Sequence, residues 1–236
     1  IAGFMVWLMT PVERMLLGRV SPNAVTAVSL AMCIITGVAA GMGALAAAMW
    51  LYTFGGVLDI LDGRLARLSG KQTAAGALFD SVSDRWGELF VFGGYAWYLR
   101  DTPWLLAAFG AFGASMMVSY TRARAESLGI ELSAGMMQRA ERIVVVVFGT
   151  LGALLYGDVE AAVPIIGITM LICAATSAAT AINRWIIAFR ELSKRTAPVV
   201  VEEAPAMSLP VVASIAPAEL RKSAPELRKV RPLEQH

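Results

Sequence analysis

Long apolar runs separated by short charged connections organise the first 195 positions of the chain. Six runs, at about 23–42, 44–63, 76–99, 103–124, 140–157 and 162–187, are each long enough to cross a bilayer core as a helix. Ser21-Pro22-Asn23 opens the first run well, because serine caps a helix and proline tolerates its first turn. Residues 1–20 are apolar but include Pro11, Glu13, Arg14 and Arg19, which predicts an amphipathic helix lying in the interface, with a truncated span as the alternative. No small-residue cleavage site follows a short apolar core there, so a removable signal peptide is not expected. The fold class expected is all-α: a polytopic membrane protein with six transmembrane helices and an N-terminal interfacial amphipathic helix.

The basic residues of the connections orient these spans. Arg14, Arg19, Arg64, Arg67, Lys71, Arg122, Arg124, Arg139, Arg142, Arg190, Lys194 and Arg195 fall on one side, and only Arg100 on the other. Six spans satisfy the positive-inside rule with both termini and the charged connections in the cytoplasm; five or seven would scatter the charge. The expected location is therefore the cell membrane. Three segments follow: 1–20 as the juxtamembrane helix, 21–195 as the six-span domain, and 196–236 as a flexible Pro- and charge-rich cytoplasmic tail. That tail nearly repeats itself, Pro217-Ala218-Glu219-Leu220-Arg221-Lys222 and then Pro225-Glu226-Leu227-Arg228-Lys229, in units too short to bury a core. Contact of its basic residues with anionic lipid headgroups is the functional alternative.

Composition agrees with membrane residence: 57% of the 236 residues are hydrophobic and 16% charged, against roughly 25% charged in a soluble domain. It also excludes several chemistries. The two cysteines, Cys33 and Cys173, lie in apolar segments and form neither a disulfide framework nor a CxxC metal site. The single histidine is His236, the last residue, which removes histidine acid–base catalysis and a Ser-His-Asp triad. No nucleic-acid partner is expected.

The chemistry is concentrated where the second span meets the third. Asp59 and Asp62 are three apart and share a helix face; Asp80 and Asp84 are four apart and share a face of the next helix. A short connection makes the two helices antiparallel neighbours, so the four carboxylates can converge near the cytoplasmic boundary. Two carboxylates 4 Å apart repel by about 4 kcal/mol at an effective dielectric of 20, so protons or cations must compensate. Oxygen ligands without His or Cys favour Mg²⁺, Mn²⁺ or Ca²⁺. Two metal ions suit four carboxylates and the in-line displacement of a phosphoryl group. A lone intramembrane aspartate could simply pair with Arg85, but four at helical spacing beside Gly63 and Gly76 argue for function. Glycine allows close approach of a phosphate or of another helix.

The run Asp59-x2-Asp62-Gly63-x2-Ala66-Arg67-x8-Gly76-x3-Asp80-x3-Asp84 resembles the complete signature of the CDP-alcohol phosphotransferases, matching all eight defining positions. That resemblance implies Asp59, Asp62, Asp80 and Asp84 as ligands of two divalent ions, Mg²⁺ or Mn²⁺, with Asp84 also the general base on an acceptor hydroxyl. It further implies that Asp59, Asp62, Gly63, Arg67, Thr73 and Gly76 hold the CDP moiety, Arg67 at the diphosphate. Asn23 and Thr26 open the first span on the same side and either contact cytidine or cap the helix. The donor implied is CDP-diacylglycerol, CMP is the leaving group, and the assembly is a homodimer.

A second charged patch, Ser119-Tyr120-Thr121-Arg122-Ala123-Arg124-Ala125-Glu126 with Gln138-Arg139-Ala140-Glu141-Arg142, resembles the branch that makes phosphatidylinositol phosphate. By that analogy Arg122, Arg139, Arg142 and Arg184 grip the phosphate of inositol phosphate, since guanidinium matches phosphate oxygens bidentately. Positive-inside topology alone also accounts for arginines here. Phosphatidylglycerophosphate synthesis is the alternative activity, and a divalent-cation transporter is a more distant one, disfavoured because the aspartates lie near one face and the spans show no repeated halves. Trp97, Trp104, Met116 and Met117 read as lipid-facing, interfacial or packing residues.

Overall fold

The computed structural model describes residues 20–70, 72–132, 135, 137–157 and 159–195. The interfacial helix expected up to residue 20, with Arg14 and Arg19, and the tail 196–236 lie outside the described residues, as does Lys71. Among the described residues there are six helices: α1 Pro22–Gly41, α2 Leu45–Ser69, α3 Ala74–Tyr98, α4 Leu105–Ser127, α5 Arg139–Tyr156 and α6 Val159–Ser193. The all-α expectation holds, and each apolar run corresponds to one helix. Three of the six, within Pro22–Gly41, Leu45–Leu68 and Ala161–Ser193, are long and apolar enough to cross a membrane. α3 instead carries Asp80, Asp84, Arg85 and Glu88 within its first fifteen residues.

Local chemistry explains the helix starts. Ser21 Oγ accepts from the Ala24 amide at 3.3 Å with Pro22 in the first turn. Thr73 Oγ1 accepts from the Gly76 amide at 3.0 Å and so caps α3. α2 runs six residues past its expected end at 63, because Leu61 and Leu65 stay buried and the intervening residues favour helix. It stops at Gly70, whose φ of 63° lies in the left-handed region that glycine enters without strain. α6 likewise outruns its expected end at 187. Ala188 and Leu192 join Ala125, Ile130 and Leu132 in a small apolar cluster that sustains the extra turns.

Each helix packs closely on two others: α1 on α2 and α3, α4 on α3 and α6, α5 on α2 and α6. The six therefore close a ring. At the α1–α3 crossing the backbones touch, since a Cβ at Gly37 would run into the Phe90 carbonyl and one at Gly94 into the Gly37 carbonyl. The apolar core, with Val91, Phe92, Tyr95, Val146, Ile166 and Met170, fills the ring away from the charged residues. Trp104 packs against Gly167, whereas Trp97 and Met117 are exposed on the outer surface.

Candidate active site

Helix periodicity delivers the aspartates to one place. Asp59 and Asp62 from α2 and Asp80 from α3 each present an oxygen within 4.8 Å of the others, with Asp62 buried and the other two half-buried. α2 and α3, expected to be antiparallel neighbours, do not pack closely on each other; both pack on α1, and that shared support brings their aspartates together. Asp84 stands one turn further along α3, and Arg139 from the first turn of α5 bridges its carboxylate to that of Asp59. Arg85 Nη1 is 3.6 Å from the other Asp84 oxygen and donates to Ser81 O at 2.5 Å.

The donor set tests whether a hard cation fits. Three carboxylates with no histidine or cysteine form an all-oxygen site of the kind that holds Mg²⁺, Mn²⁺ or Ca²⁺. Thr26 supports it: its hydroxyl donates to Asp62 Oδ2 at 2.7 Å in a buried contact, fixing that carboxylate. Such an arrangement suits divalent cations, with Asp59, Asp62 and Asp80 as the residues that would hold them. Thr26, expected to contact cytidine or cap α1, also touches Pro22 O at 3.2 Å, and Ser21 provides the cap.

Two cavities flank this centre and meet at Asp80. One, of about 540 Å³, is lined by Asn23, Thr26, Asp62, Gly63, Arg67, Thr73 and Gly76 among others, so every residue expected to contact CDP except Asp59 faces it. Gly76 lies between Thr73 Oγ1 and Asn23 Oδ1, where an added Cβ would come to 3.1 and 3.3 Å of them and narrow the cavity. The other cavity, of about 470 Å³, is lined by Asp80, Asp84, Arg122, Arg139, Arg142 and Arg184, together with Ser81, Arg85, Glu88 and Ser119. All four arginines expected at an acceptor phosphate thus converge, although they come from α4, α5 and α6.

Their present partners differ from one to the next. Arg122 Nε donates to Glu126 at 2.7 Å on the exposed rim. Arg142 is buried against Glu88 and also donates to Met137 O at 3.1 Å. Arg184 Nη1 donates to Val118 O at 3.0 Å. Arg85 and Glu88 were not among the site residues anticipated. Their signal was available, since positions 80, 84 and 88 repeat at the helical interval, and Arg85 follows Asp84 directly.

The comparisons agree with this geometry. The sequence profile of the CDP-alcohol phosphatidyltransferases matches residues 19–180, and the chain belongs to that family. It is 39% identical over 113 residues to archaetidylinositol phosphate synthase of Methanothermobacter thermautotrophicus, covering 48% of this chain and 57% of that one. It is 36% identical over 112 residues to phosphatidylinositol phosphate synthase of Mycobacterium bovis, covering 46% and 52%. The matched segments thus span little more than half the length of these relatives. Among solved structures, phosphatidylinositol phosphate synthase of Mycobacterium tuberculosis with CDP-DAG bound superposes with a TM-score of 0.67 at 28% identity, over 83% of this chain and 98% of that one. The same enzyme in complex with manganese and citrate gives 0.69 at 27% identity, over 83% and 93%.

Proposed function

We propose that this chain transfers a phosphatidyl group from CDP-diacylglycerol to inositol phosphate and releases CMP. The observation that carries this reading is the pair of cavities joined at the aspartate cluster, one lined by the signature residues and the other by arginines. The named activity of the relatives and the CDP-DAG and manganese ligands of the structural neighbours support it.

Asn23, Gly63, Arg67, Thr73 and Gly76 would seat the cytidine diphosphate, with the Arg67 guanidinium at the diphosphate. Asp59, Asp62 and Asp80, with Asp84 beside them, would hold two Mg²⁺ or Mn²⁺ ions, which when bound neutralise charge on the phosphoryl group. Arg122, Arg139, Arg142 and Arg184 would receive the acceptor phosphate and so orient its hydroxyl toward Asp84. Asp84 then takes the hydroxyl proton while the acceptor oxygen bonds to the phosphatidyl phosphorus. The bond from that phosphorus to the oxygen of CMP breaks, and CMP leaves.

The setting is the cell membrane, with six spans, residues 21–195 as the catalytic domain, and the site and both termini on the cytoplasmic side. There a water-soluble acceptor can meet a donor whose acyl chains remain in the bilayer. The 1–20 interfacial helix, the 196–236 tail and a homodimer complete the proposed organisation; light scattering in detergent tests the last. The deciding experiment supplies purified protein with CDP-diacylglycerol, Mg²⁺ or Mn²⁺, and either inositol phosphate or glycerol phosphate. CMP release dependent on inositol phosphate supports the assignment. Release with glycerol phosphate alone replaces it with phosphatidylglycerophosphate synthesis, and metal uptake into vesicles without CMP would indicate transport.

A further inference from the structure

Asp84, Glu88 and Tyr95 on α3 meet Arg139, Arg142 and Thr150 on α5, so three polar contacts run in order along two parallel helices. The middle rung is a fully enclosed ion pair, with side-chain exposures of 2% for Arg142 and 3% for Glu88. Both Nε and Nη2 of Arg142 donate to Glu88 Oε1, and Nη1 donates to Met137 O at 3.1 Å. A guanidinium has five N–H groups, so some donors remain, and Arg142 lines the arginine-rich cavity. A buried guanidinium needs a counter-charge and a defined orientation, and Glu88 supplies both.

We infer that Glu88 is a positioning residue for the acceptor: it holds Arg142 at the floor of the arginine-lined cavity so that the remaining donors face an anionic group there. The inference rests on the acceptor reading given above for the identity of the anion. The charge pattern is its physical basis. Without Glu88 the Arg142 side chain loses the bonds made by Nε and Nη2 and keeps that from Nη1 to Met137 O, a single contact about which the guanidinium plane can turn. Glu88 also stands one turn beyond Asp84, and Gly87 beside it leaves α3 room against Cys33 and the Arg139 guanidinium. The donor cavity includes neither Glu88 nor Arg142, so the effect should be confined to the acceptor.

The test compares the full-length wild type with Glu88→Gln and Glu88→Asp in lipid-containing detergent. CMP release is measured while CDP-diacylglycerol and inositol phosphate are varied separately. Glu88→Gln should raise the acceptor KM by roughly tenfold or more, leave the donor KM within about twofold, and be partly rescued in Glu88→Asp. In parallel, inorganic phosphate is titrated with CDP and Mg²⁺ present, reading the rise in melting temperature. The wild type should respond at lower phosphate concentration than Glu88→Gln. If the wild type shows no turnover yet its phosphate response depends on Glu88, the acceptor reading fails and the positioning role stands. Equal acceptor KM and equal phosphate response in wild type and variant overturn the role, as does a parallel loss of donor and acceptor affinity. Should Glu88→Gln fail to fold, Glu88→Asp carries the same comparison, with an intermediate acceptor KM expected and an unchanged one overturning the role.

Discussion

Thr26 on α1 donates its hydroxyl to Asp62 on α2 at 2.7 Å, tying the first helix to the carboxylate cluster through a buried hydrogen bond. Asp62 is 3% exposed, so few alternative donors can reach that oxygen. A hydrogen-bonded outer partner orients a metal-ligating carboxylate, and its loss typically weakens metal affinity 10- to 100-fold (roughly).

Thr26→Val keeps the shape of the side chain and removes the donor. It should raise the Mg²⁺ or Mn²⁺ concentration needed for half-maximal CMP release by about tenfold, and cost about 1–3 kcal/mol of stability. Thr26→Ser, which keeps the hydroxyl, should restore most of both. Metal titrations and thermal melts of the two variants check this, and an unchanged metal requirement in Thr26→Val would detach Thr26 from the site.

Asp84 faces the arginine-lined cavity, bridged through Arg139 to Asp59, whereas the nucleotide cavity does not include it. Asp84→Asn should therefore reduce turnover by about 10²–10⁴-fold while CDP binding, measured by calorimetry or by melting shift, is largely retained. Near-normal turnover in this variant would take the proton-accepting role away from Asp84.

The opposite split is expected at Arg67, which lines the nucleotide cavity and is exposed there. Arg67→Gln should raise the donor KM by about tenfold through loss of a charge-assisted contact to the diphosphate. Acceptor KM should stay nearly constant. Initial-rate kinetics with each substrate varied in turn decide the point.

Backbone contact between α1 and α3 makes a stability prediction independent of catalysis. Gly94→Ala would place a methyl against the Gly37 carbonyl and should cost about 1–3 kcal/mol. Gly93→Ala, one residue earlier, meets nothing within 4 Å and should be neutral or stabilising by up to about 1 kcal/mol. Thermal melts in detergent distinguish them; equal losses in both would mean that the α1–α3 crossing is looser than described.

The proposed dependence on divalent ions is tested by removal. Chelation of the purified protein should abolish CMP release, and Mg²⁺ or Mn²⁺ should restore it. Restoration by neither would remove Asp59, Asp62 and Asp80 from the role of ligands.

Residue order alone determined what depends on local periodicity. Apolar runs announced the six helices, and intervals of three and four put Asp59 with Asp62 and Asp80 with Asp84. The short connection did not make α2 and α3 packed neighbours; packing of both on α1 brought Asp59, Asp62 and Asp80 together, with Asp84 joined to them through Arg139. The family resemblance also grouped Gly63, Arg67, Thr73 and Gly76, and they share one cavity. Helix ends were less legible at α2 and α6, because burial of Leu65 and Ala188 by distant helices prolonged them. Which acids Arg139 and Arg142 would take was decided only by tertiary structure. Arg139 and Arg142 lie more than 50 positions beyond Asp84 and Glu88 in the chain, and no local rule relates residues that far apart. Ring closure by α5 and α6 brings them together, so that one guanidinium bridges two aspartates and the next is buried with a glutamate. A buried charge is stable only where the packed helices supply its counter-charge.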